Sequence, residues 1–421
     1  MIVASYVLEQ FPYFCSSVLN RKMKNIYKIT GLLLLLLCAG TILTAQTLSF
    51  KNLTEELQAM QKQLVPDKRV AVLEIEIKDT LQPVVVVTGE TDRPDAKQQI
   101  IGFLTKKKVS FIDSIRLLPD ASLGDKTWAL TTLSVSNLRA KPSDASELVS
   151  QVMMGTPMKV LDYKNKWYRV QTPELYIGWM DAGGLQQLSA KEMEIWRNSN
   201  RYLFNRISGY AFDAARKKAN VVSDLVLGDL FEVESKIKRF WKIRFPDGRT
   251  GYVRKSDCIS FNEWSNLEPN AESIISVAGQ MMGFPYLWGG SSSKGVDCSG
   301  FVKLAFYSQG MILARDASQQ ALYGDPVDFT NRNNLQPGDL LFFGRSAQRI
   351  THVGIYTGNG DFIHSSGRVH IASIDPNDTK YVADRNNVAS RRILNSMNTE
   401  GIVRVKEHEW YKSLFESKIQ P

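Results

Sequence analysis

The sequence contains little histidine and little cysteine, with four residues of each type in a chain of 421. Neither a Cys-x-x-Cys nor a His-x-x-x-His spacing occurs, so a zinc site is not expected. So few cysteines also argue against a disulfide framework, and we expect the fold to depend on its hydrophobic cores. The net charge of +9 comes from basic residues that are spread along the chain without a recognition motif, which argues against nucleic-acid binding.

The apolar stretch near the N-terminus, Gly31 to Leu43, covers thirteen positions and is short for a membrane span. Lysines precede it and the small or polar residues LTAQ follow it, which is typical of a secretory signal peptide. We therefore predict a signal peptide over residues 1–45 and a protein secreted across the inner membrane into the periplasm or cell envelope. Met23 begins a conventional signal by itself, so residues 1–22 can be an over-called start. An alternative is a lipoprotein anchored through Cys38, which is less favoured because the preceding residue, Leu37, is bulky.

Cys298 lies where a glycine-rich, strand-like run turns into a helix, in the stretch GFPYLWGGSSSKGVDCSGFVKLAFYSQG. We predict that Asp297 caps this helix and that Gly310 ends it. The amides and the dipole of a helix N-terminus favour negative charge, so we expect a lowered pKa for the Cys298 thiol and a place for an oxyanion. A cysteine beside apolar residues is more often a small core residue, as we interpret Cys258. The residues downstream decide between the two interpretations.

Two histidines follow on what the pattern predicts to be the two strands of a hairpin. His352 begins the alternating run HVGIYTG, and the turn TGNGD leads into DFIHSS, which carries His364. A nucleophile and its base are neighbours in space rather than in sequence. We therefore predict Cys298 as the nucleophile, His352 as the base and His364 as the group that orients the base. His370 and His408 lack this context and are interpreted as surface or packing residues.

The motifs PYLWGG, DCSGFV, GDLLFF, HVGIY and FIHSSG occur in this order between roughly residues 271 and 400. In these residues the chain resembles the NlpC-type cell-wall peptidases, a papain-like family of cysteine hydrolases. The resemblance implies a papain-like α+β domain over residues 263–421, which hydrolyses the γ-D-glutamyl to diamino acid bond of murein stem peptides through a thioester. It calls for no cofactor and no metal. It also implies that the hydroxyl of Tyr286 lies near the oxyanion.

The resemblance extends to candidate substrate-binding residues. Near the nucleophile these are Trp288, Asp297 and Ser299, although Trp288 can equally be a packing residue and Ser299 a capping one. The segment ILARDASQQ resembles the family's RD-S-type loop, which implies that Asp316 faces a free substrate amine, with Arg315 and Ser318 beside it. A carboxylate and an ammonium form charge-assisted hydrogen bonds. Such a site disfavours glycan-linked stems, in which the alanine nitrogen is an amide.

An internal repeat organises the middle of the chain, where two copies alternate apolar and polar residues in short runs. Both copies resemble bacterial SH3-like domains, which predicts small β-barrels over residues 127–190 and 191–262. In the first copy, Tyr176 and Trp179 are candidates for a pocket wall, although Trp179 can instead fill the barrel. Asp144 and Glu147 can join an amine site, and nothing in the sequence selects between them. The matched pairs are Gly155/Gly228, Trp167/Trp241 and Gly178/Gly251, separated by 73, 74 and 73 positions.

Residues 46–126 carry the patterns of two helices and three strands, a small α+β unit without recognisable chemistry, and the basic C-terminal tail is predicted to be a surface helix. The fold class is thus multidomain α+β. The expected function is a cysteine peptidase of short murein peptides with a free N-terminal L-alanine, acting as a monomer without a stable membrane span. One alternative is an amidase or endopeptidase on intact peptidoglycan, anchored by the SH3-like domains. Another is a non-catalytic wall-binding protein.

Overall fold

A computed structural model describes residues 28, 30, 50–78, 84–216 and 218–412. The apolar stretch, the predicted cleavage site and Cys38 lie outside the described residues. Within the described ranges, no helix is both long and apolar enough to cross a membrane. The chain divides into two compact units. Of the described residues, one unit comprises those up to Pro66, Leu73–Gly89 and Pro94–Ile115, and the other comprises Asp67–Val72, Glu90–Arg93 and those from Arg116 onward.

The first unit is a small α+β arrangement of a three-stranded sheet and helices. Its first strand alternates buried and exposed side chains, as expected for a sheet with one covered face. The helix Pro94–Lys106 buries Ala96, Ile100 and Leu104, which repeat every four positions along one face. In sheet order the strands are Leu73–Lys78, Val84–Thr91 and Ser110–Leu117, and residues 50–64 form the other helix.

Two seven-stranded antiparallel sheets follow, joined by the helix Ala190–Arg197, which a Ser189/Glu192 capping box begins. In neighbour order the first sheet contains Leu185–Leu188, Trp128–Thr131, Pro157–Lys164, Trp167–Gln171, Ile177–Asp181, Val135–Arg139 and Leu148–Met153. The second contains Cys258–Ser260, Arg201–Phe204, Leu230–Ile237, Phe240–Arg244, Thr250–Arg254, Ser208–Phe212 and Val221–Val226. The neighbour order of corresponding strands is the same in both copies, so the repeat in the sequence is a repeat in topology.

The structure corrects two details of the repeat. Every strand of the second copy begins 73 positions after its counterpart, and the fully buried Val170 and Ile243 keep this spacing. Trp167 and Trp241, which are 74 apart, therefore do not occupy equivalent positions. Both sheets are SH3-like. The sequence predicted closed barrels, and this prediction was wrong because the sheets do not close.

The part from Phe261 onward has the α+β organisation expected of a papain-like domain, with helices packed on an antiparallel sheet. Its main sheet has six strands in the order Asp325–Pro326, Asn387–Arg392, Leu340–Ser346, Arg349–Gly358, Asp361–Ser366 and Arg368–Ser373. Two small sheets pair Ser291–Ser292 with Gly295–Val296 and Met311–Leu313 with Ile402–Arg404. The helices are Phe261–Ser265, Ala271–Gln280, Cys298–Tyr307 and Ala317–Gln320.

The C-terminal segment is not the surface helix that was predicted, as far as the structure describes it. Trp410 and Tyr411 are almost fully buried, and the Trp410 ring lies edge-on to Trp128 of the first SH3-like sheet at 5.5 Å. Buried His408 contacts the carbonyl oxygen of Pro173 through its Nε2 at 3.0 Å. Removing large aromatic side chains from water stabilises the folded state, so this segment packs inward although the tail is basic.

Candidate active site

Cys298 is the first residue of the helix Cys298–Tyr307, where the sequence predicted it. Asp297 caps this helix by accepting a hydrogen bond from the N–H of Gly300 at 2.7 Å. Gly300 must lack a side chain, because a Cβ atom there would lie 2.0 Å from the carbonyl oxygen of Gly290. The cap, the glycine and the buried helix therefore fix the sulfur on a rigid element at the edge of a cleft.

The lowered pKa that we predicted for Cys298 is not what the structure shows. Burial, together with the negative charge of Asp297, raises the pKa of this thiol to about 11. Hydrogen bonds from the backbone of Val353 and Ser299 act in the opposite direction and favour the thiolate. The helix N-terminus alone therefore does not ionise the sulfur, and a neighbouring base must take its proton.

His352 and His364 lie on adjacent strands, Arg349–Gly358 and Asp361–Ser366, and His352 Nε2 is 2.7 Å from His364 Nδ1. Val353, whose backbone contacts the sulfur, directly follows His352, so the strand that carries His352 runs past Cys298. The absence of a side chain at Gly354 lets the two strands of the hairpin bring these histidines together. A Cβ atom at Gly354 would lie 2.7 Å from the ring of Phe362 and 3.1 Å from Cβ of His364.

Both imidazoles are held neutral. Burial and then the positive charge of Arg385 lower the pKa of His352 to about 2. Burial, followed by the neighbouring His370 ring and the positive charge of Arg385, lowers the pKa of His364 to about 3. The resting arrangement is therefore a thiol beside an uncharged imidazole that has a lone pair available for a proton.

This neutrality predicts a pH dependence of stability. A histidine in the unfolded chain has a pKa near 6.5, so each of His352 and His364 takes up a proton on unfolding below that pH. The stabilisation is complete above pH 6.5 and is lost as the pH falls toward the folded-state values. We expect the free energy of unfolding to fall by about 2 kcal/mol for each ring when the pH is lowered from 7 to 5. Urea titrations at the two pH values measure this loss.

The matched variant is His364→Asn, which removes one of the two titrating rings and leaves all other groups in place. Its loss of unfolding free energy between pH 7 and pH 5 should be smaller than that of the wild type by about 2 kcal/mol. Equal losses in both proteins would show that His364 is not held neutral in the folded state.

Tyr286 is half-buried and lines the same cleft as the nucleophile. Its backbone N–H donates to the carbonyl of Gly367 at 2.9 Å, which fixes the segment that follows the helix Ala271–Gln280. Burial raises the pKa of Tyr286 to about 12, and the negative charge of Asp297, joined by that of Cys298 when it is ionised, acts in the same direction. The hydroxyl therefore stays protonated and can donate a hydrogen bond toward the position of the sulfur.

Asp297 and Arg315, two predicted substrate-binding residues, form a buried ion pair with each other. Arg315 Nη2 donates to Asp297 Oδ2 at 2.6 Å, and its Nη1 donates to Ser299 Oγ at 3.0 Å. Arg315 Nε also donates to Ser150 Oγ of the first SH3-like sheet at 3.0 Å. These side chains satisfy one another's hydrogen-bonding groups at the floor of the cleft. Their hydrogen bonds also fix the N-terminus of the Cys298 helix.

An open cleft of about 570 Å³ leads away from Cys298. Residues of the first SH3-like domain and of the segment Asp67–Val72 form its far wall, so the cleft is built by three stretches that are distant in sequence. Its lining residues are Arg69, Glu147, Val149, Tyr176, Tyr286, Trp288, Gly289, Asp297, Cys298, Ser299, Arg315, Asp316, Ala317, Ser318, Ile350 and Thr351.

At the far end of the cleft, two side-chain donors hold Asp316. Its Oδ2 accepts from Arg69 Nη1 at 2.8 Å and from the Tyr176 hydroxyl at 3.2 Å. Arg69 Nη1 also donates to Ser318 Oγ at 3.0 Å. The other oxygen, Oδ1, lies 3.9 Å from Arg315 Nη1, beyond hydrogen-bond distance, and so keeps capacity to accept a hydrogen bond from a ligand.

Trp288 and Glu147 form a second polar pair in the cleft. The exposed indole of Trp288 donates from Nε1 to Glu147 Oε1 at 2.7 Å. Gly289 lets the two domains meet here, since a Cβ atom would lie 2.2 Å from the carbonyl oxygen of Leu148. The structure thereby selects Glu147 over Asp144, which is exposed and does not line the cleft.

One predicted cleft residue lies elsewhere. Trp179 is not among the residues that line the cleft; it is half-buried on the first SH3-like sheet, with the guanidinium of Arg169 5.9 Å from its ring centre. Strand alternation explains this placement, because Tyr176 precedes the strand Ile177–Asp181 and lines the cleft, whereas Trp179 lies an odd number of positions further along.

Sequence reasoning missed two residues of the site. Arg69 comes from a segment that carries no motif, and no pattern in the sequence indicates that it reaches Asp316. His370, interpreted as a surface or packing residue, lies 3.1 Å from His364. A signal for it did exist, because the turn at Gly367 in HSSGRVH places positions 364 and 370 opposite each other on two strands.

The fold and the site together define a papain-like cysteine peptidase. Residues 283–391 match the NlpC/P60 family, and residues 133–186 match the bacterial SH3 domain. A probable endopeptidase NlpC of Escherichia coli is 42% identical over 109 residues, which cover 23% of this chain and 69% of that protein. The chain belongs to the NlpC/P60 family of cell-wall cysteine peptidases.

Longer matches extend beyond the catalytic part. A gamma-D-glutamyl-L-lysine dipeptidyl-peptidase of Bacillus cereus is 27% identical over 281 residues, 63% of this chain and 82% of that protein. Dipeptidyl-peptidase 6 of Lysinibacillus sphaericus is 26% identical over 266 residues, 61% of this chain and 95% of that protein. A solved NlpC/P60 family protein from Bacillus cereus has the same fold, with a TM-score of 0.55 and 23% identity over 63% of this chain and 99% of that one.

Proposed function

We propose that the chain is a secreted γ-D-glutamyl-L-diamino acid endopeptidase that removes L-Ala-D-Glu from short murein peptides with a free N-terminal alanine. The observation that carries the proposal is that Asp316 and Glu147 line the same cleft as Cys298. The names of the relatives from Bacillus cereus and Lysinibacillus sphaericus support a dipeptidyl-peptidase reaction. The diamino acid of the substrate is lysine or diaminopimelate.

In the proposed reaction, His352 takes the proton of Cys298 as the sulfur attacks the γ-carbonyl carbon of the glutamyl residue. The carbonyl oxygen becomes an oxyanion. When the C–N bond breaks, the leaving amine of the diamino acid takes the proton from His352, and a thioester joins Cys298 to the dipeptide. Water then attacks the thioester, gives a proton to His352 and releases the dipeptide carboxylate, and the proton returns to the sulfur.

The surroundings of Cys298 support this sequence of steps. The raised pKa of the thiol and the lowered pKa of His352 keep both groups uncharged until a substrate carbonyl is present. The protonated Tyr286 hydroxyl and the backbone N–H groups of the helix N-terminus are donors for the oxyanion. His364 orients His352 through the 2.7 Å contact between their rings.

Substrate selection is proposed at the far end of the cleft. An ammonium needs acceptors, and two carboxylates from different domains line the cleft, with Tyr176 and Arg69 fixing the position of Asp316. An N-acylated alanine has one N–H and no charge, so it would leave both carboxylates poorly satisfied. We infer that the first SH3-like domain shapes the cleft and limits the substrate to free peptides, and that the enzyme acts as a monomer in the cell envelope.

Comparing one peptide in two forms tests this proposal. We expect L-Ala-γ-D-Glu-L-Lys to be cleaved at the γ-glutamyl bond at least tenfold faster, in kcat/KM, than its N-acetylated form, because a hydrogen bond to a charged group is worth about 1.5–3 kcal/mol. Glu147→Gln should lower kcat/KM for the free peptide by about 10- to 100-fold. It should also reduce the ratio of kcat/KM between the free and the N-acetylated peptide. Mass spectrometry of the products identifies the bond that is cut.

Asp144→Asn is the matched control, since this exposed acid lies near Glu147 in sequence but outside the cleft, and its rates should equal those of the wild type. Equal cleavage of the free and the acetylated peptide would contradict amine recognition. If purified sacculi also released fragments, the enzyme would instead be an endopeptidase of intact peptidoglycan.

A further inference from the structure

Three histidine rings, not two, form a continuous row behind Cys298. His352 Nε2 lies 2.7 Å from His364 Nδ1, and His364 Nε2 lies 3.1 Å from His370 Nε2. The row ends where His370 Nδ1 lies 2.9 Å from the carbonyl oxygen of Arg368. His364 and His370 are directly opposed partners on neighbouring antiparallel strands, so the sheet itself fixes their contact.

The contact between His370 and the Arg368 carbonyl determines which nitrogen of each ring in the row carries a proton. A carbonyl oxygen only accepts, so His370 Nδ1 must carry a proton, and in the neutral ring its Nε2 is then an acceptor. His364 must therefore donate from Nε2, which leaves its Nδ1 as an acceptor. His352 must in turn donate from Nε2, and its lone pair is on Nδ1.

We propose that His370 is a positioning residue that, anchored on the Arg368 carbonyl, fixes the tautomer of His352 through His364 and so presents the Nδ1 lone pair to the thiol. The inference deepens the proposed function and rests on it for the role of His352. The proton positions themselves follow from the geometry of the row with a neutral His370 ring and do not depend on any substrate.

The charge around the row agrees with neutral rings. Arg385, from the segment before the strand Asn387–Arg392, opposes protonation of both His352 and His364. Its guanidinium is held by a hydrogen bond from Nη2 to Ser366 Oγ at 2.7 Å. A positive charge beside the row therefore favours the pattern of neutral donors and acceptors over a charged imidazolium.

The test exploits the difference between an acceptor and a donor at position 370. A glutamine can accept from His364 Nε2 through its amide oxygen, whereas a lysine can only donate. We expect His370→Gln to keep kcat within about threefold of the wild type. His370→Lys should force His364 to accept at Nε2 and to carry its proton on Nδ1, which lowers kcat about 10- to 100-fold at unchanged KM, the effect of opposing one buried hydrogen bond.

Nitrogen NMR of the full chain labelled in histidine reads the tautomers directly, because the sequence contains only four histidines. In the wild type we expect N–H groups at Nε2 of His352 and His364 and at Nδ1 of His370. In His370→Lys the N–H of His364 should move to Nδ1. A wild-type His352 protonated on Nδ1, or unchanged tautomers and kcat in His370→Lys, would overturn the proposal.

Ile371→Lys is the matched control for the added charge. Ile371 is the next residue on the same strand, is 41% exposed and points to the opposite face of the sheet from His370. This variant should keep the wild-type tautomers and kcat. The spectra also separate the two proposals, since a peptidase role for Cys298 can fail in the activity assay while the tautomer pattern is still observed.

Discussion

Replacing Cys298 by alanine should reduce hydrolysis of L-Ala-γ-D-Glu-L-Lys to the background rate, a loss on the order of 10⁴- to 10⁶-fold in kcat. Without the sulfur no thioester forms, and the remaining groups of the site can only polarise the peptide and bind it. The variant should stay folded, because alanine removes one small group from a core in which the helix is held by its cap and by buried residues such as Phe301 and Val302. Product formation by mass spectrometry and circular dichroism measure the two quantities.

Cys258→Ala is the control for general effects of removing a thiol. Cys258 and Cys298 are both free among the described residues, but Cys258 is half-buried on the second SH3-like sheet, where its Sγ lies 3.4 Å from the carbonyl of Arg254. Its removal should leave kcat unchanged. Retained hydrolysis in Cys298→Ala would remove Cys298 as the nucleophile from the mechanism. Absence of hydrolysis by the wild type itself would leave a wall-binding protein as the better description.

Replacing Arg315 by methionine should lower the free energy of unfolding by about 3–5 kcal/mol, since it leaves the Asp297 carboxylate buried without its partner charge. Arg315 is 1% exposed and gives Asp297 two hydrogen bonds, at 2.6 and 3.2 Å. The N–H groups of Gly300 and Gly289 still stabilise the carboxylate in the variant, but they do not neutralise it. Urea denaturation followed by tryptophan fluorescence measures the loss.

Arg69→Met is the matched comparison, because this arginine also pairs with aspartates but its side chain is 39% exposed. Water screens such a pair, so we expect a loss of no more than about 1 kcal/mol. In the double variant Asp297→Asn/Arg315→Met the loss should be smaller than the sum of the two single losses, since both single variants strand a partner. Similar losses in Arg315→Met and Arg69→Met would contradict the structural role given to the Arg315 pair.

The features that local pattern determines were the ones predicted best. The glycine-rich approach, Asp297 and the apolar periodicity placed the start of the Cys298 helix, and alternation around the turn TGNGD placed His352 and His364 on one hairpin. Each of these depends on residues within a few positions of one another. Hydrogen bonding of a cap and the handedness of a tight turn act at that range, so the sequence pattern carries the information.

The errors share a different cause. The pKa of Cys298 was predicted from the helix end alone, whereas burial by residues from several elements dominates it. Trp410 and Tyr411 were assigned to a surface tail because nothing nearby in sequence covers them, yet Trp128 and Pro173 belong to a domain more than 200 positions away. Arg69 was missed because its partner, Asp316, is 247 positions away.

The sequence by itself determined that a β-rich unit is repeated, that the cysteine lies at a helix start and that one hairpin carries two histidines, because these features depend on short-range periodicity and turn chemistry. The tertiary structure alone decided which charges meet. It paired Arg315 with Asp297, brought Glu147 and Arg69 to the cleft, and extended the histidine row to the Arg368 carbonyl. Electrostatic and hydrogen-bond partners are chosen by distance in space, which the order of residues along a chain does not encode locally.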